Sequence, residues 1–442
     1  MHDLAKPAHG RVFALILAVA LGGCASYRPL PLVSHPDLAT RVEDLQGAGD
    51  VRMPLDETAV MHLVLLNNPA LAASRTQRGI ARAGELDASV LPNPSVQANL
   101  GFLISGGGDV PAWSAGFAQS LQGLVTRGAR RQEAHATASA IDAQLVWESW
   151  VTLSRARQLV VDVVDGERRL ALQESSASLL EARASSLHAA LARGDEEAGS
   201  ANAIFVAASD ARATCEEARH TLRGQRAELA TLLRLDPDAP LPLAPLPALP
   251  PLDLARATSS VASMGEHRPD LAALRFGYAA QEARLRGAIL SRFAPLSIGV
   301  DASRDSDRVL NVGPSVSSDL PVFDRQQGKI AIADATREQL HDEYTARIDA
   351  ATADARVLIS AIVINEREAS RGVTDVAALD AANRAFARGD IDAAVYGDLS
   401  VATLGQAAND VTRDLYRREQ IIALDALTGA GLPDLLPPRM NP

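Results

Sequence analysis

The chain has 442 residues, a net charge of −11 and only 4% aromatic residues. That length holds two domains or one extended architecture, and an Ala-rich, aromatic-poor composition suits closely packed helices over a bulky globular core. The acidic balance argues against a nucleic-acid partner. The sequence also lacks a Gly-rich phosphate loop with Lys, a Ser nucleophile elbow and a zinc-type His-Glu pair, so neither an enzyme nor a metal site is expected.

Residues 1–23 read as a lipoprotein signal peptide. His2, Lys6, His9 and Arg11 precede the apolar run Val12 to Leu21, which is too short for a permanent membrane helix. Leu21-Gly22-Gly23-Cys24 looks like a bacterial lipobox, with cleavage before Cys24 and a covalent lipid such as palmitate on the new N-terminus. No other cofactor is expected. The alternative is a plain secretory signal with an incidental Cys. Ala25 follows, where an Asp would resemble an inner-membrane retention signal, so outer-membrane sorting is expected. Cys215 lies beside Glu216 and Glu217, which disfavour a thiolate, and reads as a small structural side chain.

Residues 24–55 are rich in turn formers and read as an extended arm. A first repeat follows over 56–235. Asp56 or Thr58 caps a helix running to about Leu91, and Asn68-Pro69 kinks or restarts it. Within the hairpin 95–121, Val96, Ala98, Leu100 and Phe102 alternate with Ser95, Gln97, Asn99 and Gly101. Trp113, Ala115 and Phe117 then alternate with Ser114, Gly116 and Ala118. From Arg127 to Ala192 there is no Pro, and apolar residues recur at helical spacing. Such a rod is roughly 100 Å long and belongs in a coiled coil or a helical tube. Gly194 stops it, Asp195 is expected to cap the next helix, and that helix returns to about Leu235.

Seven prolines make 236–252 an extended linker. The second repeat, 253–427, follows the plan of the first, which points to pseudo-twofold architecture. Arg268-Pro269-Asp270-Leu271 matches Asn68-Pro69-Ala70-Leu71, and Ala387-Arg388-Gly389-Asp390 matches Ala192-Arg193-Gly194-Asp195. Its hairpin, 295–320, alternates Leu296, Ile298, Val300 and Ala302 with Ser297, Gly299, Asp301 and Ser303. Leu310, Val312 and Val316 carry the returning strand. The repeat explains both Arg-Gly-Asp turns as helix stops, against an adhesive reading. Residues 428–442 form a loose tail.

Strands of about nine to eleven residues, apolar on one face, match what crosses an outer membrane in a β-barrel. The alternative is two hairpins on a soluble core. Four strands leave open edges, which lipid forbids, so several chains must share one barrel; three would give twelve strands. The expected fold is mainly α with a small β part: a long α-helical tube plus a transmembrane β-barrel shared by a trimer, four strands per chain, in two structural repeats.

The lipobox, Leu91-Pro92-Asn93-Pro94, Arg268-Pro269-Asp270-Leu271, Gly313-Pro314-Ser315 leading to Leu320-Pro321-Val322-Phe323-Asp324, and the duplicated turns together resemble the TolC-type outer-membrane efflux factors. Within these they are similar to the lipoprotein branch serving tripartite pumps of the RND type. The resemblance implies a homotrimer in outer-membrane lipid, reaching into the periplasm. It also implies a periplasmic adaptor, an inner-membrane transporter, and a gated duct for drugs, other small molecules or metal ions. A type I protein-secretion duct, or a lipid-anchored periplasmic scaffold or adaptor, is the alternative. Family members often carry Ser or Thr three residues after the turn Gly and an acid six after it. Here Glu197 and Ser200 follow Gly194, and Asp392 and Val395 follow Gly389, so the family's gate contacts do not transfer residue by residue. The turn residues Arg193, Gly194, Arg388 and Gly389 are candidate adaptor contacts. Asp195, Glu196, Glu197, Asp390, Asp392 and Asp398 are candidate gate acids, with Asp392 and Asp398 preferred; Asp195 and Asp390 are also expected to cap helices.

Overall fold

A computed structural model of the chain describes residues 27–102, 104–105, 107–195, 197–292, 296–369 and 376–430. The signal peptide, Cys24, Glu196 and most of the tail lie outside them. Residues 27–38 belong to a separate unit with no regular structure, and all of them are exposed. The extended arm expected over 24–55 is confined, among the described residues, to that unit. From Ala39 onward the chain folds: Val42, Leu45 and Leu55 are buried.

Nine helices are described: α1 (Glu57–Asn67), α2 (Pro69–Ser89), α3 (Gln122–Arg193), α4 (Ala198–Leu232), α5 (Leu254–His267), α6 (Pro269–Leu290), α7 (Gln327–Ala369), α8 (Val376–Ala387) and α9 (Ala393–Thr428). The strands are β1 (Ser95–Gly101), β2 (Ala112–Ser120), β3 (Leu296–Arg304) and β4 (Leu310–Ser318). At 72 residues, α3 runs roughly 108 Å. In the second repeat the long helical stretch is described as α7 and α8, and residues 370–375 between them lie outside the described residues.

Asp56 caps α1 by accepting from the Ala59 N–H at 2.8 Å. Asn68-Pro69 then restarts the chain as α2: Pro takes the first helical position, and the Asn68 side chain accepts from the Leu71 N–H at 3.1 Å. The Asn68 amide also donates to the Leu232 carbonyl at the end of α4, at 3.1 Å. The second repeat makes the same joint with a charge. Arg268 starts α6, pairs with Asp270 at 2.7 Å, donates to the Leu427 carbonyl at the end of α9, and lies over the Trp147 ring at 5.0 Å. Both members of that pair are buried.

Burial concentrates around these joints. Val60, Leu63 and Val64 of α1 pack with Leu153, Leu159 and Val160 of α3, with Leu229 of α4 and with Leu233 just after it. A smaller cluster joins Met264, Ala355, Ile362 and Leu424. The linker is pinned to the first cluster, because Leu55 donates to the Pro242 carbonyl and Ala244 donates back to Leu55.

Candidate functional site

Two ends of the molecule bear on function. One is the sheet, ordered β1-β2-β3-β4 and antiparallel throughout. Its register sets Val96, Phe117 and Val300 side by side, then Ala98, Ala115, Ala302 and Val312. Leu100, Trp113, Arg304 and Leu310 form a further row on that face. The other face carries Gln97, Gly116, Asp301 and Gly313 in one row, and Asn99, Ser114, Ser303 and Asn311 in another. Period-two alternation therefore sorts into one mostly apolar and one polar face. The apolar face is exposed, with Val96 at 76%, Val300 at 55% and Val312 at 66%. A Cβ on Gly116 would collide with Asp301 Oδ1, so this glycine makes room for the acid. Among the described residues β1 and β4 each pair on one side only. Among the described residues no helix is long and apolar enough to cross a membrane.

The other end carries the two helix-to-helix turns. Gly194 and Gly389 adopt left-handed backbone, with φ of 78° and 76°. The Asp195 N–H donates to the Ala190 carbonyl, and the Asp390 N–H to that of Ala385, closing the same C-terminal motif twice. That closure brings each acid back to the Arg two residues earlier. Arg193 meets Asp195 at 2.8 Å, and Arg388 meets Asp390 at 2.8 Å. Asp195 and Asp390 therefore do not cap the following helices, as the sequence suggests; their carboxylates are committed to the arginines. Asp392 is the cap of α9, accepting from the Val395 N–H at 2.8 Å. Glu197 stands at the N-cap position of α4 without a side-chain capping bond.

Asp398 pairs with Arg183 of α3, a partner not identified from sequence. The contact sets the start of α9 against the end of α3, so both turns lie at one end. Aromatic stacks close each hairpin near its turn: His188 on Phe205 at 4.0 Å, and Phe386 on Tyr396 at 4.5 Å. The Tyr396 hydroxyl donates to Asn383 Oδ1 at 2.9 Å. Cys215 is buried, and burial pushes its thiol up, in keeping with a structural side chain. Among the described residues no three His, Cys, Asp or Glu side chains form a metal-holding group.

This combination of a four-stranded two-faced sheet, long antiparallel rods and duplicated turns is the fold of the TolC-type outer-membrane channels. The chain is similar to the outer-membrane channel OprN (17% identity, TM-score 0.68, 85% of this chain and 90% of that one). It is likewise similar to the CmeC channel of Campylobacter jejuni (11%, TM-score 0.67, 92% and 94%) and to the outer-membrane protein VceC of Vibrio cholerae (15%, TM-score 0.64, 84% and 96%). No protein-family model and no curated protein sequence matches the chain.

Proposed function

We propose that this chain is the outer-membrane component of a tripartite efflux system: a passive, gated duct from periplasm to exterior for drugs, other small molecules or metal ions. Three copies share a twelve-stranded barrel, a lipid on Cys24 anchors the mature N-terminus, and the rods reach into the periplasm. The turns at Arg193-Gly194 and Arg388-Gly389 meet a periplasmic adaptor, which links the duct to an inner-membrane transporter. The observation that carries this reading is the sheet, which exposes a nearly continuous apolar face, turns a Gln, Asn, Ser and Asp face the other way, and leaves both edges unpaired. Lipid accepts such a sheet only when its edges are closed by further strands. The likeness to solved channels over most of both chains supports the same reading.

At the far end, the acids of the turns line or flank the mouth. Rings of acids favour cations. Planar-bilayer conductance tests this. The double variant Asp392→Asn, Asp398→Asn removes two charges per chain while Asn still caps α9. The expected outcome is a channel with reduced cation selectivity under a salt gradient. An unchanged reversal potential removes these acids from the constriction, and absence of any conductance from the wild-type protein overturns the duct itself.

A further inference from the structure

Helices α3 and α9 run antiparallel and are tied by charged contacts along one register. Arg157 of α3 meets Asp425 of α9 at 2.8 Å, Asp165 meets Arg418 at 3.6 Å, and Arg183 meets Asp398 near the turns. Each of these joins opposite charges. A fourth meeting between the same helices does not: the register of these pairs sets Glu419 of α9 against the buried Asp162 of α3, carboxyl beside carboxyl. Two carboxylates offer only acceptors, so a hydrogen bond between them needs a proton on one.

Among the described residues the cations around the pair are engaged elsewhere. From α3, Arg155 faces the pair, but its guanidinium holds Glu228 of α4 through two bonds of 2.7 Å. From α9, Arg418 points to Asp165 and donates to the Pro247 carbonyl at 2.6 Å. Arg168 serves Asp165 at 3.1 Å, and Asp414 adds a further negative charge beside Asp165. Asp162 is 6% exposed, and its Oδ1 has no hydrogen-bond partner. We propose that the Asp162–Glu419 carboxyl pair is a proton-operated clasp between α3 and α9, shut while it holds one proton and loosened when both groups are ionised.

The direction follows from the buried member. Burial first, and the Glu419 charge second, push Asp162 up from 3.8 to about 7, with Arg155 opposing. In the loosened form water reaches Asp162, and its carboxyl returns towards the ordinary range. The shut form is therefore fully favoured below about pH 4. It weakens about tenfold per pH unit up to about pH 7 and changes no further above that. α9 also carries Asp392 and Asp398, so loosening at Glu419 releases the helix that leads to the second turn. The clasp is a property of the helices and stands whether or not the duct reading holds.

Amide hydrogen exchange on the full-length protein, extracted in detergent, tests it. Rates are corrected for the intrinsic pH dependence of exchange, with residues 69–89 as internal control. Between pH 6 and pH 8, protection across residues 411–424 should fall about tenfold in the wild type. Asp162→Asn keeps a donor towards Glu419 at every pH, so its protection should not change between pH 6 and pH 8. Glu419→Gln should behave alike and serves as the reading should Asp162→Asn fail to assemble. A wild-type protection that does not change between pH 6 and pH 8, or a variant that keeps the wild-type slope, overturns the clasp.

Discussion

The two helical hairpins share a plan and differ in how they are fastened. Between α3 and α4, Glu167, Glu174 and Glu181 face Arg226, Arg219 and Arg212, each set spaced by one heptad. The same antiparallel register continues to the His188–Phe205 stack at the turn end and to Val160 and Leu233 in the core. Between α7 and α9 the matching line holds Glu366 against Arg417 at 2.8 Å, and one heptad away Ile359 and Leu424 in the apolar cluster. A heptad-spaced ladder of opposite charges favours the register that completes every rung, because a slip of one heptad leaves an end rung unpaired and a slip of a fraction of a heptad breaks them all. Apolar contacts are non-directional and specify it less. The first hairpin is fastened by a heptad-spaced charge ladder; the second, among the described residues, mixes an ion pair, an amide bond from Asn365 to Gln420 at 2.9 Å and apolar contacts.

The joints differ the other way, and they give the largest expected effect. Arg268→Ala strands the buried Asp270 carboxylate and should cost about 3–5 kcal/mol. Asn68→Ala removes a neutral cap and should cost about 1 kcal/mol. Denaturant unfolding of the two variants measures both, and equal losses would show that the second joint is not held by its ion pair.

The sheet should not distinguish the repeats, since its rows run across both hairpins. Val300→Arg sets a charge beside Phe117 on the apolar face and should cost about 2–4 kcal/mol at mid-bilayer. Val96→Arg, in the same row, should behave alike. Asp301→Arg, on the polar face between Gly116 and Gly313, should leave assembly intact. Heat-modifiability on gels reads assembly, and equal tolerance at 300 and 301 would contradict the assignment of the two faces.

The smallest effect concerns the ladder. Glu181→Arg places like charge against Arg212 and should cost on the order of 0.2–1 kcal/mol at low salt, because the pair is exposed. Adding Arg212→Glu should restore the loss, and salt should shrink it. Melting curves at two ionic strengths show whether the rung matters; no rescue by the double reversal would demote the ladder to coincidence.

Much of this was legible in the chain. Period-two alternation at Val96, Leu100, Val300 and Val312 announces a two-faced sheet because successive side chains must point to opposite sides. Gly194 and Gly389 read as helix stops because the turn needs positive φ, which glycine alone adopts cheaply. The roles of the neighbouring acids do not follow from sequence spacing, because capping depends on backbone path. The closing turn folds Asp390 back onto Arg388 and leaves Asp392 as the cap. The ladder was present as heptad-spaced Glu and Arg on either side of Gly194, but its register becomes visible only once the turn length is fixed. Asp398 and Arg183, and Asp162 and Glu419, were not legible, since each pair joins helices from different repeats.

The central claim is that one chain supplies a third of a shared barrel, and native mass spectrometry of protein extracted from outer membranes tests it most directly. The expected particle is three chains, each starting at Cys24 and each heavier by a covalent lipid that Cys24→Ser abolishes. A monomer or dimer in conditions that keep other barrels assembled would leave the edges of β1 and β4 unclosed and contradict the account.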